Sequence, residues 1–325
     1  MRLPTPRGPL GEQVHAVLRT RPGPPAAASS PALLGSGVPD DPEDTALTLW
    51  VLHELHYRGF EEVDDAWEWE PTLMPLRQSL EQDLEGRLRA RFAAGWAEVD
   101  PTDDVTVLLG RIVEADDGPS LARHLQRHGT RDQALALLRQ RSLYHLKEAD
   151  PTSWVVPRLS AAPKAALVEV QFDEYGDGDP ERLHHRLFER GMAAAGLEHA
   201  YGHYAAEATL PVLEQNNAVS LFGLHRRLRG AAVGHFAAFE ATSSVPSRQL
   251  AQGLRRLGVG EEMAGYYDEH VEADAVHEHL ALVGVCGALV EEEPRLLADV
   301  ALGAWTCLDL EARTATHLLQ EWDAA

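Results

Sequence analysis

The chain has 325 residues, and its 51 acidic side chains outnumber 29 basic ones, giving a formal net charge of −22 with neutral histidines. Charge of that sign repels nucleic-acid phosphates and anionic lipids, so binding to DNA, RNA or a membrane surface is not expected. The hydrophobic fraction of 44% and the charged fraction of 25% are those of a globular protein with a sizeable core.

The cysteines and the N-terminus set the expected location. Cys286 and Cys307 are too few for a disulfide framework or a complete structural zinc site. No apolar segment of a signal peptide follows Met1, and the apolar run at 280–290 is far shorter than the ~20 residues that span a bilayer. We therefore expect a cytoplasmic protein.

The first 150 residues divide into two predicted regions. Nine of the 20 prolines lie before residue 45, so residues 1–44 are predicted to be largely irregular, with one short helix over 11–19. Residues 45–150 form a predicted accessory helical region. Its helices are indicated by apolar spacing, including leucines at four-residue steps at positions 76, 80, 84 and 88. Neither region carries a motif that indicates chemistry.

Helical patterns continue to the end of the chain after Asp150 and Pro151. Asp179 followed by Pro180 predicts a helix start, because an acidic cap and a proline at the first position both favour one. Other helices are predicted over 164–175, 209–214, 221–242, 247–257, 261–288, 294–302 and 308–322. Strand-like alternation is scarce, so the sequence predicts an all-α chain with a functional core at residues 151–325.

Ligand-type side chains lie on several apolar helix stripes. Glu174 and Glu240 each continue such a stripe, and His184 faces the apolar side of the helix that follows Pro180. Glu169 and Asp173 lie on other helix faces and are predicted to face solvent. A carboxylate on an apolar stripe requires a cation to neutralise it, which is either an arginine or a metal.

The strongest pattern lies within residues 266–279. His270, Asp274 and His277 are spaced i, i+4 and i+7, which places them on one face of a helix about two turns long. Two imidazoles and a carboxylate on one stripe form a facial set of metal ligands. The stripe continues with small side chains that leave room for a ligand.

These residues together offer three carboxylates and three imidazoles without a thiolate, a set that suits iron or manganese. Six ligands are too many for one metal with an open position, but they divide over two irons. Two ferrous ions held together can reduce O₂ by two electrons. We therefore predict two Fe²⁺ ions as cofactors, O₂ as co-substrate and no catalytic side chain beyond the ligands, which are Glu174, His184, Glu240, His270, Asp274 and His277.

The order Glu…His…Glu…His-x3-Asp-x2-His resembles that of the haem-oxygenase-like di-iron oxidases and oxygenases, over about residues 155–290. The stretch at 173–180, with His184 ten residues after Glu174, resembles members with a lengthened first ligand segment, such as those that N-oxygenate in nitrosourea biosynthesis. The resemblance implies a seven-helix haem-oxygenase-like core that does not bind haem. It implies that Glu174 and His184 are the first pair of ligands and that Glu240 is the middle carboxylate. The last ligands are then His270, Asp274 and His277.

Function is likewise implied by the resemblance. Many members of that family are homodimers that act on amino acids, amines or fatty acids in small-molecule biosynthesis. The implied activity is that of a non-haem di-iron, O₂-dependent oxidase or oxygenase of a small organic substrate. The resemblance also implies a homodimer. We further expect an external electron donor, and the acidic charge argues against nucleic-acid and membrane partners.

Two other classes stay open. A ferritin-like di-iron protein would pair Glu181-x-x-His184 with Asp274-x-x-His277 and use Glu207 and Glu240 as its other carboxylates. A non-catalytic helical bundle would carry haem or another cofactor. No Gly-rich phosphate loop or Ser-His-Asp set is present in the sequence, so hydrolase and kinase functions are not competitive.

Overall fold

A computed structural model describes residues 1–23, 40–96 and 99–324, and for residues 272–276 it describes the backbone alone. Within these ranges all regular secondary structure is helical and no strand occurs, so the all-α prediction is confirmed. No helix among the described residues has both the length and the apolar character needed to cross a bilayer.

The first half of the chain forms helices with short connections. The predicted helix near residue 11 is present, and the four leucines at 76–88 are buried along one helix. The helices of this half are α1 (Pro9–Leu18), α2 (Pro42–Glu54), α3 (Met74–Gly95), α4 (Val105–Glu114), α5 (Leu121–Arg127), α6 (Arg131–His145) and α7 (Asp150–Ser153).

The second half contains the longest helices of the described chain. Its elements are α8 (Ala161–Glu174), α9 (His184–Ala194), α10 (Leu210–Leu224), α11 (Arg229–Arg256), α12 (Glu261–His279), a π-helical segment (Leu280–Gly287), α13 (Ala288–Glu292) and α14 (Leu297–Ala324). The predicted helix over 261–288 is therefore present, although its last part is π-helical.

Three predicted helix boundaries are wrong. The predicted helix over 221–242 is interrupted, because His225 is extended and separates α10 from α11. Pro246 does not end a helix but lies inside α11. The predicted break between 302 and 308 is absent, and α14 continues through Gly303. The glycine lets α14 pack closely on α11, since an added Cβ there would overlap the carbonyl oxygen of Ala231.

The helix start predicted at Asp179 and Pro180 is also wrong, since α9 begins at His184. Gly176 and Gly178 have φ values of +69° and +84°, which turn the chain before it can enter a helix. The Asp179 carboxylate accepts a hydrogen bond from the backbone N–H of Glu181 at 3.0 Å, which is an Asx turn rather than a helix cap. The turn brings His184 to the start of α9 beside the end of α8.

The N-terminal helices share a hydrophobic core with the later ones. Trp50 of α2 is buried, and its ring centroid lies 6.5 Å from that of Tyr201. Lys147 forms a fully buried ion pair with Glu54 of α2, and its Nζ lies 4.3 Å from the ring centroid of Tyr57. The segment after α6 is therefore fixed by the N-terminal region, whereas the division at residues 44 and 150 stays a prediction.

Candidate metal centre

Five predicted ligands lie on four helices. Glu174 ends α8, His184 begins α9, Glu240 lies in α11, and His270 and His277 lie in α12. All five are buried, with between 2% and 9% of their surface exposed. Carboxylates and imidazoles at this depth require compensating charge or ligation. The helices direct the five side chains into two adjoining groups.

The first group contains Glu148, Glu174, His184 and His270, whose ligand atoms all lie within 4.8 Å of one another. His184 Nδ1 lies 3.0 Å from Glu174 Oε2. Glu148 Oε1 lies 4.0 Å from His184 Nδ1 and 3.9 Å from His270 Nε2. Two carboxylates and two imidazoles therefore face one small volume.

The second group contains Glu174, Glu240 and His277, again with ligand atoms within 4.8 Å of one another. His277 Nδ1 lies 3.7 Å from Glu174 Oε1 and 3.4 Å from Glu240 Oε2. Glu174 belongs to both groups, with Oε2 near His184 and Oε1 near His277. The two carboxylate oxygens of Glu174 therefore face different ligand groups.

Glu148 is the site residue that the sequence analysis missed. It lies in the turn between α6 and α7, where no helical stripe indicates its direction, but only 5% of its surface is exposed. Its Oε2 accepts hydrogen bonds from Tyr266 Oη at 2.8 Å and from His145 Nδ1 at 2.9 Å. The other oxygen is therefore left to face His184 and His270.

Asp274 lies outside the described side chains, so its ligation stays a prediction. The α12 backbone is continuous from Glu261 to His279 and carries residue 274 between His270 and His277. The prediction that Asp173 faces solvent is wrong, because it is half-buried and its Oδ2 lies 2.7 Å from His277 Nε2. Glu169 is exposed, as predicted.

Contacts with outer partners fix which ring nitrogen His270 and His277 each present to the site. His270 Nδ1 donates to the backbone oxygen of Tyr266 at 2.9 Å, which leaves the lone pair on Nε2, toward Glu148. His277 Nε2 pairs with Asp173, which leaves Nδ1 toward Glu174 and Glu240. Such outer partners orient ligating histidines and set their tautomers.

The pKa values of the site reflect its charges. Burial alone would raise the pKa of the Glu174 carboxyl, but the surrounding imidazoles, led by His184, hold it well below its usual range. Burial alone would lower the pKa values of His184 and His277, but Glu174 and Glu240 respectively raise them above the ordinary value. Burial raises the pKa of Glu148 and lowers that of His270. The Glu174 carboxylate and the His184 and His277 imidazoles therefore stabilise one another's charged forms.

The donor set fits iron. Glu148 Oε1 and His184 Nδ1 are buried without a hydrogen-bond partner among the described residues, although His184 Nδ1 approaches Glu174 closely. Unpartnered polar atoms that face one another are costly in a core unless a cation lies between them. Nitrogen and carboxylate oxygen ligands without thiolate match iron or manganese.

Two of the carboxylates that the ferritin-like alternative requires are not assembled. Glu181 and Glu207 are both exposed, and neither belongs to a group of ligand atoms among the described residues. The Glu181-x-x-His184 spacing is therefore incidental in this structure.

Residues 135–312 match the iron-containing redox enzyme family. This chain belongs to that family. The resemblance drawn from the sequence is thereby confirmed, and with it the haem-oxygenase-like class of the helical bundle. As an iron-containing redox enzyme the chain is an oxidoreductase, and the matched range includes Glu148 as well as all six predicted ligands.

A curated relative of this iron-containing redox enzyme is a nitrosourea synthase from Streptomyces achromogenes subsp. streptozoticus. The two are 30% identical over 150 residues, which cover 45% of this chain and 31% of the relative. The match therefore spans about a third of that relative's length.

Two solved structures of a CADD-like protein of unknown function from Nostoc punctiforme PCC 73102 are similar in shape. One is 16% identical, covers 74% of this chain and 97% of its own, and has a TM-score of 0.48. The other is 14% identical, covers 74% and 95%, and has a TM-score of 0.44. Similarity at this level says nothing about function.

Proposed function

We propose that this chain is a non-haem di-iron, O₂-dependent oxidase or oxygenase that acts on a small organic substrate in biosynthesis. The observation that carries the proposal is the pair of buried ligand groups that share Glu174. A single group would suit one metal ion, whereas a carboxylate common to two groups suits two. Membership of the iron-containing redox enzyme family supports iron as that metal.

The ligand groups suggest how two irons would be held. Glu148, His184 and His270 would ligate one iron, and Glu240 and His277 would ligate the other, with Glu174 common to both. Asp274 remains the predicted additional ligand of the second iron. When bound, a ferrous pair supplies the two electrons that O₂ activation requires.

The surrounding residues hold the ligands in position. Tyr266 uses its hydroxyl to hold Glu148 and its backbone oxygen to hold His270. Asp173 holds the ring of His277 from the outer side. Outer contacts of this kind orient the ligands, so we expect little reorientation when iron binds.

The substrate class is supported by the curated relative. A nitrosourea synthase makes a nitrogen-rich small molecule, which favours a nitrogen-containing substrate for this chain too. The homodimer, the external electron donor and the cytoplasmic location stay predictions.

Anaerobic loading with Fe(II) tests the proposal. Wild-type protein should retain about two irons per chain after desalting, and exposure to O₂ should oxidise them. Glu174→Ala should lose most of this iron, because both groups lose a ligand. The matched control Glu181→Ala changes an exposed carboxylate nearby and should retain the wild-type stoichiometry. A wild-type stoichiometry near zero, or a Soret band after haem addition, contradicts the proposal.

A further inference from the structure

A cavity of about 290 Å³ lies beside the candidate metal centre. Its wall includes His270 of the first ligand group and the two side chains that hold Glu148, which are Tyr266 and His145. The exposed residues Asp116 and Arg123 also line it, so it communicates with solvent. Its volume is near the lower limit of ordinary small-molecule pockets.

An ion pair forms part of the cavity wall. Arg141 Nη2 donates to Glu311 Oε1, and Gln215 Nε2 donates to Glu311 Oε2 at 3.3 Å. The Arg141 and Glu311 side chains are 21% and 39% exposed, and both line the cavity. A positive and a negative group therefore border the same cavity.

Arg141 has unused hydrogen-bonding capacity. Its guanidinium carries five N–H donors, and among the described residues only Nη2 donates a hydrogen bond. A planar guanidinium with free donors matches the geometry of a carboxylate. Glu311 keeps its negative charge beside it, so the wall favours a positive group at a short distance from the carboxylate.

The ion pair lies close to the metal centre along α6. Arg141 precedes His145 by one helical turn, so the two lie on the same face about 6 Å apart along the axis. His145 in turn contacts Glu148. A molecule anchored at Arg141 therefore needs only a short chain to reach the region of His270.

We propose that Arg141 and Glu311 select a small amino acid in its zwitterionic form, with the carboxylate at Arg141, the ammonium at Glu311 and the side chain directed toward His270. Glu311 disfavours a simple carboxylate and Arg141 disfavours a simple amine, so only the zwitterion satisfies both groups. The inference rests on the proposed function for its chemistry, because it names the substrate class of that site.

Calorimetric binding of three probes with the same carbon chain tests the proposal: L-norleucine, hexanoate and hexylamine. Each is titrated into metal-free and Fe(II)-loaded wild-type protein. L-norleucine should bind about tenfold more tightly than either of the others, because only it pairs with both charges. Equal affinity for all three probes, or no binding of any of them, overturns the proposal.

Substitutions test which charged group of the probe each of the two side chains binds. Arg141→Gln should weaken L-norleucine and hexanoate by about tenfold, whereas Glu311→Gln should weaken L-norleucine but not hexanoate. Arg141→Lys keeps a charge for Glu311 and covers the case in which Arg141→Gln does not fold; it should bind L-norleucine more weakly than wild type. Arg139→Gln, on α6 beside Glu207 and outside the cavity wall, is the control and should bind as wild type.

Iron retention is measured on the same proteins, which separates this inference from the proposed function. Both Arg141→Gln and Glu311→Gln should retain wild-type iron, since neither residue belongs to a ligand group. Selective L-norleucine binding without iron loading would contradict the proposed function alone. Iron loading with unchanged probe affinities in both variants would overturn the zwitterion site alone.

Discussion

Asp173 Oδ2 lies 2.7 Å from His277 Nε2, while the other ring nitrogen of His277 faces Glu174 and Glu240. A carboxylate behind a ligating imidazole fixes its tautomer and raises its basicity. We therefore expect Asp173 to position His277 in the second ligand group.

Replacing Asp173 should weaken the binding of the second iron. Asp173→Asn should lower the affinity for one of the two irons by about 10–100-fold, because the ring loses its charged partner. Stepwise Fe(II) titration measures both affinities. Glu169→Gln, an exposed change on the same helix, should leave both affinities unchanged. Equal affinities in Asp173→Asn and wild type would contradict the role.

The Tyr266 hydroxyl supports the first ligand group. Tyr266→Phe keeps the ring but removes the donor to Glu148 Oε2, so the affinity for the first iron should fall by about tenfold. Tyr267→Phe is the matched control, because the Tyr267 hydroxyl has no partner among the described residues. If the two variants bind iron equally, the hydroxyl does not position Glu148.

The Lys147–Glu54 ion pair ties the segment that carries Glu148 to α2, and both side chains are buried. Lys147→Met should lower the free energy of unfolding by about 3–5 kcal/mol, because Glu54 is left as an uncompensated buried charge. The double variant Lys147→Met, Glu54→Gln should recover part of that loss in urea denaturation. A single variant as stable as wild type would show that the pair does not stabilise this junction.

Acid should destabilise the protein partly through His235. Burial lowers its pKa from 6.5 to about 4, so the unfolded chain takes up a proton at this site in that range while the folded chain does not. The free energy of unfolding should therefore fall as the pH drops from 6.5 to 4, by up to about 3 kcal/mol from this residue.

His235→Leu removes that contribution. Urea denaturation at pH 7 and pH 5 should show a smaller loss of stability in His235→Leu than in wild type. The control His203→Leu changes an exposed imidazole, and between pH 7 and pH 5 it should lose as much stability as wild type does. An unchanged pH dependence in His235→Leu would contradict a proton-free His235 in the folded state.

The sequence was informative where a ligand lies inside a regular helix. His270 and His277 were found because helical spacing placed them on one stripe, and the structure buries both. Glu148 was missed because it lies in a turn, where helical spacing cannot indicate which way a side chain points. The charged residues next to it in sequence are also typical of a solvent-exposed segment. Its burial depends on its own contact with Tyr266 of α12 and on the ion pair of its neighbour Lys147 with Glu54 of α2, and both partners are distant in sequence.

Some helix boundaries were predicted wrongly for a related reason. Asp179 and Pro180 have the local chemistry of a helix start, but the positive φ values of Gly176 and Gly178 impose a turn first. Gly303 has the local character of a helix breaker, yet it lies inside α14 where the backbone of α11 approaches closely. Tertiary packing overrode local preference at both positions.

We propose that Glu174 bridges two irons, because it is common to both ligand groups. Crystals of the anaerobic Fe(II)-loaded protein, measured at the iron absorption edge, locate the metal directly. We predict two anomalous peaks on either side of the Glu174 carboxylate, one beside His184 and His270 and the other beside His277 and Glu240. A single peak, or iron bound away from Glu174, would contradict the claim.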